Sequence, residues 1–158
     1  AHKGRRLITE HRKRGSMPFI AGSRINNSIV DFADVPALFP GGWLTLIYNG
    51  DGGTGHAKYQ PMPFSASDDV IVLEPLAAEA TEDALLILVT LITHQCVPKF
   101  GFGYKLTLHR LGRQKILLPV TTDDDGKQVA DWAGMAEYGR VLRARSEQPL
   151  SEVLGAPS

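Results

Sequence analysis

The 158 residues carry 17 Lys+Arg against 17 Asp+Glu, 43% apolar residues and one cysteine. That length suits a single domain of about 100–200 residues, able to bury about two-thirds of the surface its unfolded chain exposes. Cys96 alone excludes an intramolecular disulfide framework and fits a reducing compartment such as the cytoplasm, the expected location. The longest apolar run, Leu85 to Ile92 broken by Thr90, falls far short of the ~20 residues that span a bilayer, and the Arg-rich start has no apolar stretch behind it to make a secretory signal.

In chain order, residues 1–16 read as irregular and basic, with Gly4 and Gly15 as breakers. Met17 to Ile20 starts a short apolar strand, and Gly22 to Ser28 is a polar turn. Pro40-Gly41-Gly42 forces a turn before the β-rich run Trp43 to Tyr48. A glycine loop, Asn49 to Gly55, leads to a return strand over His56 to Gln60, which Pro61 and Pro63 end. Val70 to Leu73 is a buried strand. Ala78 to Gln95 predicts a core helix (about 81–95), because Thr81 can cap it, Glu82 and Asp83 suit its positive end, and its middle is apolar nearly all round. The partly β-branched Ile87 to Ile92 leaves a strand open there. Ile116 to Val120 reads as a short buried strand closed by Pro119. Asp131 to Arg145 predicts a C-terminal helix (about 131–145) with Trp132, Met135, Tyr138, Val141 and Leu142 on one stripe. The sum is an α+β domain of several short, largely antiparallel strands and two helices, with a working division into 1–130, a trailing helix 131–145 and a flexible tail 146–158.

The zero net charge conceals segregation. Residues 1–24 hold seven bases against Glu10, a net of +6, and residues 99–120 hold five bases and no acid, a net of +5. Asp68 to Asp83 contains six acids and no base, and Asp123 to Asp125 is an acidic triplet. If the two basic stretches share a face, they form the footprint expected for a phosphate backbone.

Catalytic motifs fail on their physical requirements. Gly50 to Gly55 matches G-x-G-x-x-G after a strand, but His56 to Gln60 beyond it reads as strand and not as the helix whose N-terminus would hold a pyrophosphate. The five histidines lack metal-ligand spacing, and Cys96 has no partner. His94 and Cys96 are better read as a packed helix end than as a thiol–imidazole pair. Asp125-Gly126-Lys127, the one nuclease-like group, sits in a polar turn. Neither a catalytic nor a metal residue is assigned. Binding groups remain. Arg24, Asn26 and Asn27 carry a guanidinium and two amides of the kind that pair with purine edges; asparagines also build ordinary turns. Thr54, His56 and Lys58 lie on or beside a glycine loop suited to close approach to a sugar-phosphate chain. In Phe100 to Lys105, Phe100 and Phe102 face the core and Tyr104 and Lys105 face outward.

Across roughly Lys3 to Tyr138 the chain resembles the target recognition domain of restriction–modification specificity proteins, the type I specificity subunits and their type IIB and IIG relatives. The motifs run in order. Lys3 to Leu7 and Gly15-Ser16-Met17-Pro18-Phe19-Ile20 resemble a basic stretch before a G-x-(I/M)-P-(F/Y)-I strand. Asn26-Asn27-Ser28-Ile29 resembles an N-N-G-I turn, with Ser28 in the glycine's place. Gly53 to Gln60 with Pro63 to Val70 resembles a G-x-x-G…F-x-x-S-D-D-V segment. Phe100 to Leu106, on to Ile116-Leu117-Leu118-Pro119-Val120, is similar to an F-x-Y-G-(R/K)-(K)-L…L…I-x-L-P-V ending. Asp125-Gly126, Asp131-Trp132 and Met135 resemble the D-G…D-W-x-x-M lead-in to a helix.

The resemblance implies a sequence-specific reader of double-stranded DNA with no chemistry of its own, which positions a partner adenine methyltransferase or nuclease. S-adenosylmethionine and Mg²⁺ would belong to that partner, which flips the adenine it methylates. By side-chain chemistry, Arg5, Arg6, Lys13, Arg14, Lys99, Lys105 and Arg110 are assigned to phosphates, and Arg24, Asn26, Asn27, Thr54, His56 and Lys58 to bases or grooves. The C-terminal helix would serve association with the partner or a second copy as a homodimer. A complete type I specificity subunit holds two recognition domains and this chain one, so a half-length version, a single-domain type and a fragment all stay open. A Mg²⁺-dependent nuclease fragment and a protein-interaction module remain the alternatives.

Overall fold

The computed structural model describes residues 1–6, 13–50, 52–101 and 104–148. Among these residues nine strands and three α-helices follow in order: β1 (His2–Lys3), β2 (Arg14–Ile20), β3 (Ile29–Ala33), β4 (Trp43–Ile47), β5 (Ala57–Gln60), β6 (Ser65–Ala66), β7 (Val70–Leu73), α1 (Glu82–Cys96), α2 (Leu108–Gly112), β8 (Val120–Thr122), β9 (Gln128–Ala130) and α3 (Trp132–Glu147), with a 3-10 turn at Asn26–Ser28. The fold is α+β. A four-stranded antiparallel sheet runs β1-β7-β4-β5, and a three-stranded sheet runs β3-β2-β6, in which only the β2–β6 pair is parallel.

The four-stranded sheet separates two cores, and strand alternation decides which residue serves which. Successive side chains point to opposite faces, so Ile71 joins Leu44 and Leu46 under α1 while Val70 and Val72 join Ile20, Phe64 and Ala66 against the second sheet. Both faces are covered. That is why Val70 to Leu73 is apolar throughout instead of alternating. The residues of α1 that meet the sheet are Leu85, Val89, Ile92 and Cys96, spaced by 4, 3 and 4 as a helical stripe requires. The helix starts where its capping chemistry says it should: Thr81 Oγ1 accepts a hydrogen bond from the Ala84 amide at 3.4 Å, with Glu82 and Asp83 in the first turn.

The other side of α1 receives α3. Asp131 caps that helix, accepting from the Gly134 amide at 2.8 Å, and Met135 and Gly139 are its buried residues. At Gly139 the two backbones approach so closely that a Cβ would run into the Asp83 carbonyl group. Arg143 then reaches across to Glu82 at 3.1 Å and Asp83 at 2.8 Å.

Three expectations need correction. Residues 1–16 are not irregular throughout: His2–Lys3 pairs with β7, and β2 begins at Arg14. Ile116 to Val120 is not a buried strand: Leu117 is 82% exposed, and the strand begins at Val120, pairing with β9 in a separate hairpin. Leu117 instead has its backbone amide and carbonyl taken by the Gln95 side chain, at 2.7 and 2.9 Å, an amide standing in for a neighbouring strand. The α3 stripe also divides. Met135 faces α1, but Tyr138, Val141 and Leu142 are exposed, because the close crossing at Gly139 selects the Met135–Gly139 face. The five-residue α2 was not expected from the sequence; Thr107 caps it, accepting from the Arg110 amide at 3.2 Å. The tail lies outside the described residues from 149 onward.

Gly139→Ala tests the helix crossing by sign. In a free helix surface this change stabilises by about 1 kcal/mol; here the added methyl meets backbone, and a loss of about 1–3 kcal/mol is expected in urea unfolding. A gain would show that α3 does not approach α1 this closely.

Candidate nucleic-acid interface

Three segments distant in sequence meet at the C-terminal end of α1. The polar turn after β2 touches the glycine loop after β4 through backbone, since a Cβ on Gly22 would strike the Asn49 carbonyl and one on Gly50 the Gly22 carbonyl. The same loop packs on the helix end: a Cβ on Gly55, at φ 90°, would lie 2.8 Å from the Val97 nitrogen. These glycines are therefore spacers that let three backbones stack, a role the nucleotide-loop pattern did not suggest.

The turn is held in an unusual shape. Asn26, Asn27 and Ser28 take φ values of 50°, 51° and 63°, a left-handed region that disfavours residues other than glycine. Asparagine tolerates it best, which accounts for two of the three. Ser28, where the resemblance has glycine, keeps the geometry. It is fully buried, and its hydroxyl donates to the Ser23 carbonyl at 2.6 Å. Asn27 locks the turn onto β5. Its Nδ2 donates to the Tyr59 carbonyl at 2.9 Å and to Gln60 Oε1 at 3.1 Å, while Gln60 Nε2 donates to the Asn27 carbonyl at 3.2 Å and to Thr45 Oγ1 at 3.0 Å. Both amide hydrogens of Asn27 are thus engaged within the protein. Arg24, Ile25 and Asn26 stand exposed on the rim of this braced turn, and their side chains make no hydrogen bond or ion pair among the described residues.

Two adjoining depressions share Phe100. One, of about 330 Å³, is lined by Asn49, Gly50, Gly52, Thr54, Val97, Gly101 and Lys105. The other, of about 710 Å³, is lined by Lys99, Tyr104, His109, Arg110, Arg113 and Gln114. Among the described residues no acid lines either, while Lys105 lines the first and Lys99, Arg110 and Arg113 line the second. Phe100 is buried and carries the surface outward: Tyr104 stacks on it at 5.6 Å, nearly parallel, and the Arg110 guanidinium lies 4.1 Å from the Tyr104 ring centre. Arg110 Nη1 also donates to the Lys105 carbonyl.

Lys105 and Thr54 therefore share one depression, Lys99 and Arg110 its neighbour. His56 is tied back, its Nδ1 within 2.9 Å of the Gly53 carbonyl. Lys58 lines a separate groove with Asn27 and His94. Arg5 and Arg6 border a fourth with Phe19 and Pro36, and Arg14 a fifth with Val30 and Phe32. The Lys13 carbonyl accepts from the Asp34 amide. His109, Arg113 and Gln114 also line the larger depression and were not among the residues expected from the sequence; Thr107, which caps the short helix α2 that carries His109 and Arg110, was the available local signal. Phe102 lies outside the described residues. Cys96 is buried at the helix end, and burial pushes its thiol pKa up, with Lys99 opposing; a thiol kept neutral this way is a poor nucleophile. Asp125-Gly126-Lys127 forms the β8–β9 turn, where Asp123 Oδ1 accepts from the Asp125 and Lys127 amides at 3.1 and 2.8 Å.

The sequence model of the type I restriction modification DNA specificity domain matches residues 1–152. The chain belongs to this family. It is 34% identical over 138 residues, 87% of its length, to the type II restriction enzyme BgcI specificity subunit S.BcgI of Heyndrickxia coagulans. Its fold is that of the type I restriction-modification system S subunit from M. genitalium, with a TM-score of 0.68 over 92% of the chain at 15% identity. The chain spans 38% of the first relative and 36% of the second.

Ser28→Ala and Ser28→Gly separate the two features of the turn. Both remove the hydroxyl hydrogen bond, but only glycine relieves the left-handed strain, so Ser28→Gly should be the more stable by about 1–2 kcal/mol. Equal stabilities in denaturant melts would show that the position is unstrained.

Proposed function

We propose that this chain is a target recognition domain that reads a sequence in double-stranded DNA and presents that site to a catalytic partner. The observation that carries the reading is the pair of adjoining basic depressions at the end of α1, built from Thr54, Lys99, Lys105, Arg110 and Arg113 in a chain of the DNA specificity family. Cations in such a groove neutralise phosphates and set register and salt-dependent affinity, while groups on the braced turn, Arg24 and Asn26 first, approach base edges. With its amide hydrogens engaged, Asn27 serves better as the brace than as a reader.

The chain supplies binding, not chemistry. S-adenosylmethionine and Mg²⁺ would be held by an adenine methyltransferase or nuclease subunit or fused domain, working in the cytoplasm. Association would use α3, whose exposed Tyr138, Val141 and Leu142 lie at helical spacing away from α1, either with that partner or with a second copy of the chain. Among the described residues no helix is long and apolar enough to cross a membrane.

Duplex titration at two salt concentrations tests the reading. Lys99→Ala and Lys105→Ala should each weaken all duplexes alike and lower the slope of log affinity against log salt by about 0.9. No binding to any duplex even at low salt would overturn it.

A further inference from the structure

Among the cations of the basic depressions one is held differently from the rest. Lys99, Lys105 and Arg113 make no side-chain hydrogen bond or ion pair among the described residues. Arg110 is fixed from several directions. Its guanidinium lies over Tyr104 at 4.1 Å, Tyr104 is stacked on the buried Phe100 at 5.6 Å and 5°, and Nη1 donates to the Lys105 carbonyl. Its backbone amide is bound to the Thr107 cap at 3.2 Å. Much of the rotamer freedom that an arginine loses on docking is therefore already lost in the free protein.

A phosphate can be held by a flexible lysine acting as a point charge as well as by an arginine fork, so restraint is not required for it. Restraint matters where the acceptors are two coplanar atoms at fixed separation, as O6 and N7 of guanine are in the major groove. The bond to Lys105 occupies Nη1 and leaves Nε–H and Nη2–H, the side-on fork of the guanidinium, without a partner among the described residues. That edge can donate two parallel hydrogen bonds.

We infer that Arg110, oriented by Tyr104, reads a guanine in the target duplex, whereas Lys99 and Lys105 supply the grip that is the same for every sequence. The inference rests on the recognition reading and changes the role of Arg110 within it, from phosphate contact to base reader. Tyr104 is a positioning residue in this arrangement.

The test is selection from a random duplex library followed by sequencing, run on the wild-type protein, Arg110→Lys and Tyr104→Leu, with circular dichroism to check folding. The wild type should enrich a guanine at a defined position. Arg110→Lys keeps the charge but not the fork, and should lose that preference by about ten- to hundredfold while other positions hold. Tyr104→Leu should weaken the same position. If Arg110→Lys keeps every positional preference, or weakens all positions equally, Arg110 is a phosphate contact and the inference is overturned. If the wild type enriches nothing, the recognition reading fails and this inference with it.

Discussion

The structure depends on one helix being packed by both a sheet and a second helix. Leu85, Val89, Ile92 and Cys96 of α1 are buried against the four-stranded sheet, and α3 packs on α1 through Met135 and Gly139, the latter over Asp83 in its first turn. At about 1.5–3 kcal/mol for each large apolar side chain removed from water, this is the main adhesive of the first core. A helix so enclosed cannot shift along its axis without opening cavities, and its C-terminal end is therefore a fixed platform. Phe100 and Leu106 belong to the same core, so the basic segment beyond the helix is anchored at two points, with Arg110 and its neighbours displayed around them. Gln95 fixes the following stretch by bonding both backbone groups of Leu117.

From that platform the candidate surface is assembled by close backbone contact. Gly55 lets the glycine loop lie on the helix end, and Gly22 with Gly50 lets the polar turn lie on the loop. Candidate binding groups far apart in the chain thereby sit on contiguous backbone. The Asn27–Gln60–Thr45 network transmits the rigidity of β4 and β5 to the turn, since every bond in it runs between the turn and those two strands or within them. On the proposed reading, the braced turn and the restrained Arg110 discriminate between sequences, and Lys99 and Lys105 supply affinity.

Legibility in the sequence tracks the range of the forces involved. Local signals were legible: the Thr81 cap with its acidic first turn, the Trp43 to Ile47 and Val70 to Leu73 runs, the glycine hairpin, and the start of α3 at Asp131. Segregated charge was legible by position, and the ordered motifs pointed to the family. The rest depended on tertiary partners. A Gln95 side chain taking the place of a strand cannot be foreseen from Ile116 to Val120, nor can a close crossing at Gly139 that turns Tyr138 and Leu142 outward. The basic residues of the first segment looked like part of one patch, yet Arg5, Arg6 and Arg14 border depressions separate from that of Lys99 and Arg110. Asn27 carried the right chemistry for reading adenine, and its amide was already in use.

On the proposed reading, DNA lies along the surface joining the polar turn, the glycine loop and the α1–α2 segment. Amide hydrogen exchange of the protein with and without duplex DNA examines that surface directly. Slowed exchange should appear at Arg24 and Ile25, at Gly52 to Thr54 and from Thr107 to Gln114, with the acidic β8–β9 hairpin unchanged. Protection centred on β8–β9, with Thr107 to Gln114 unaffected, would contradict it.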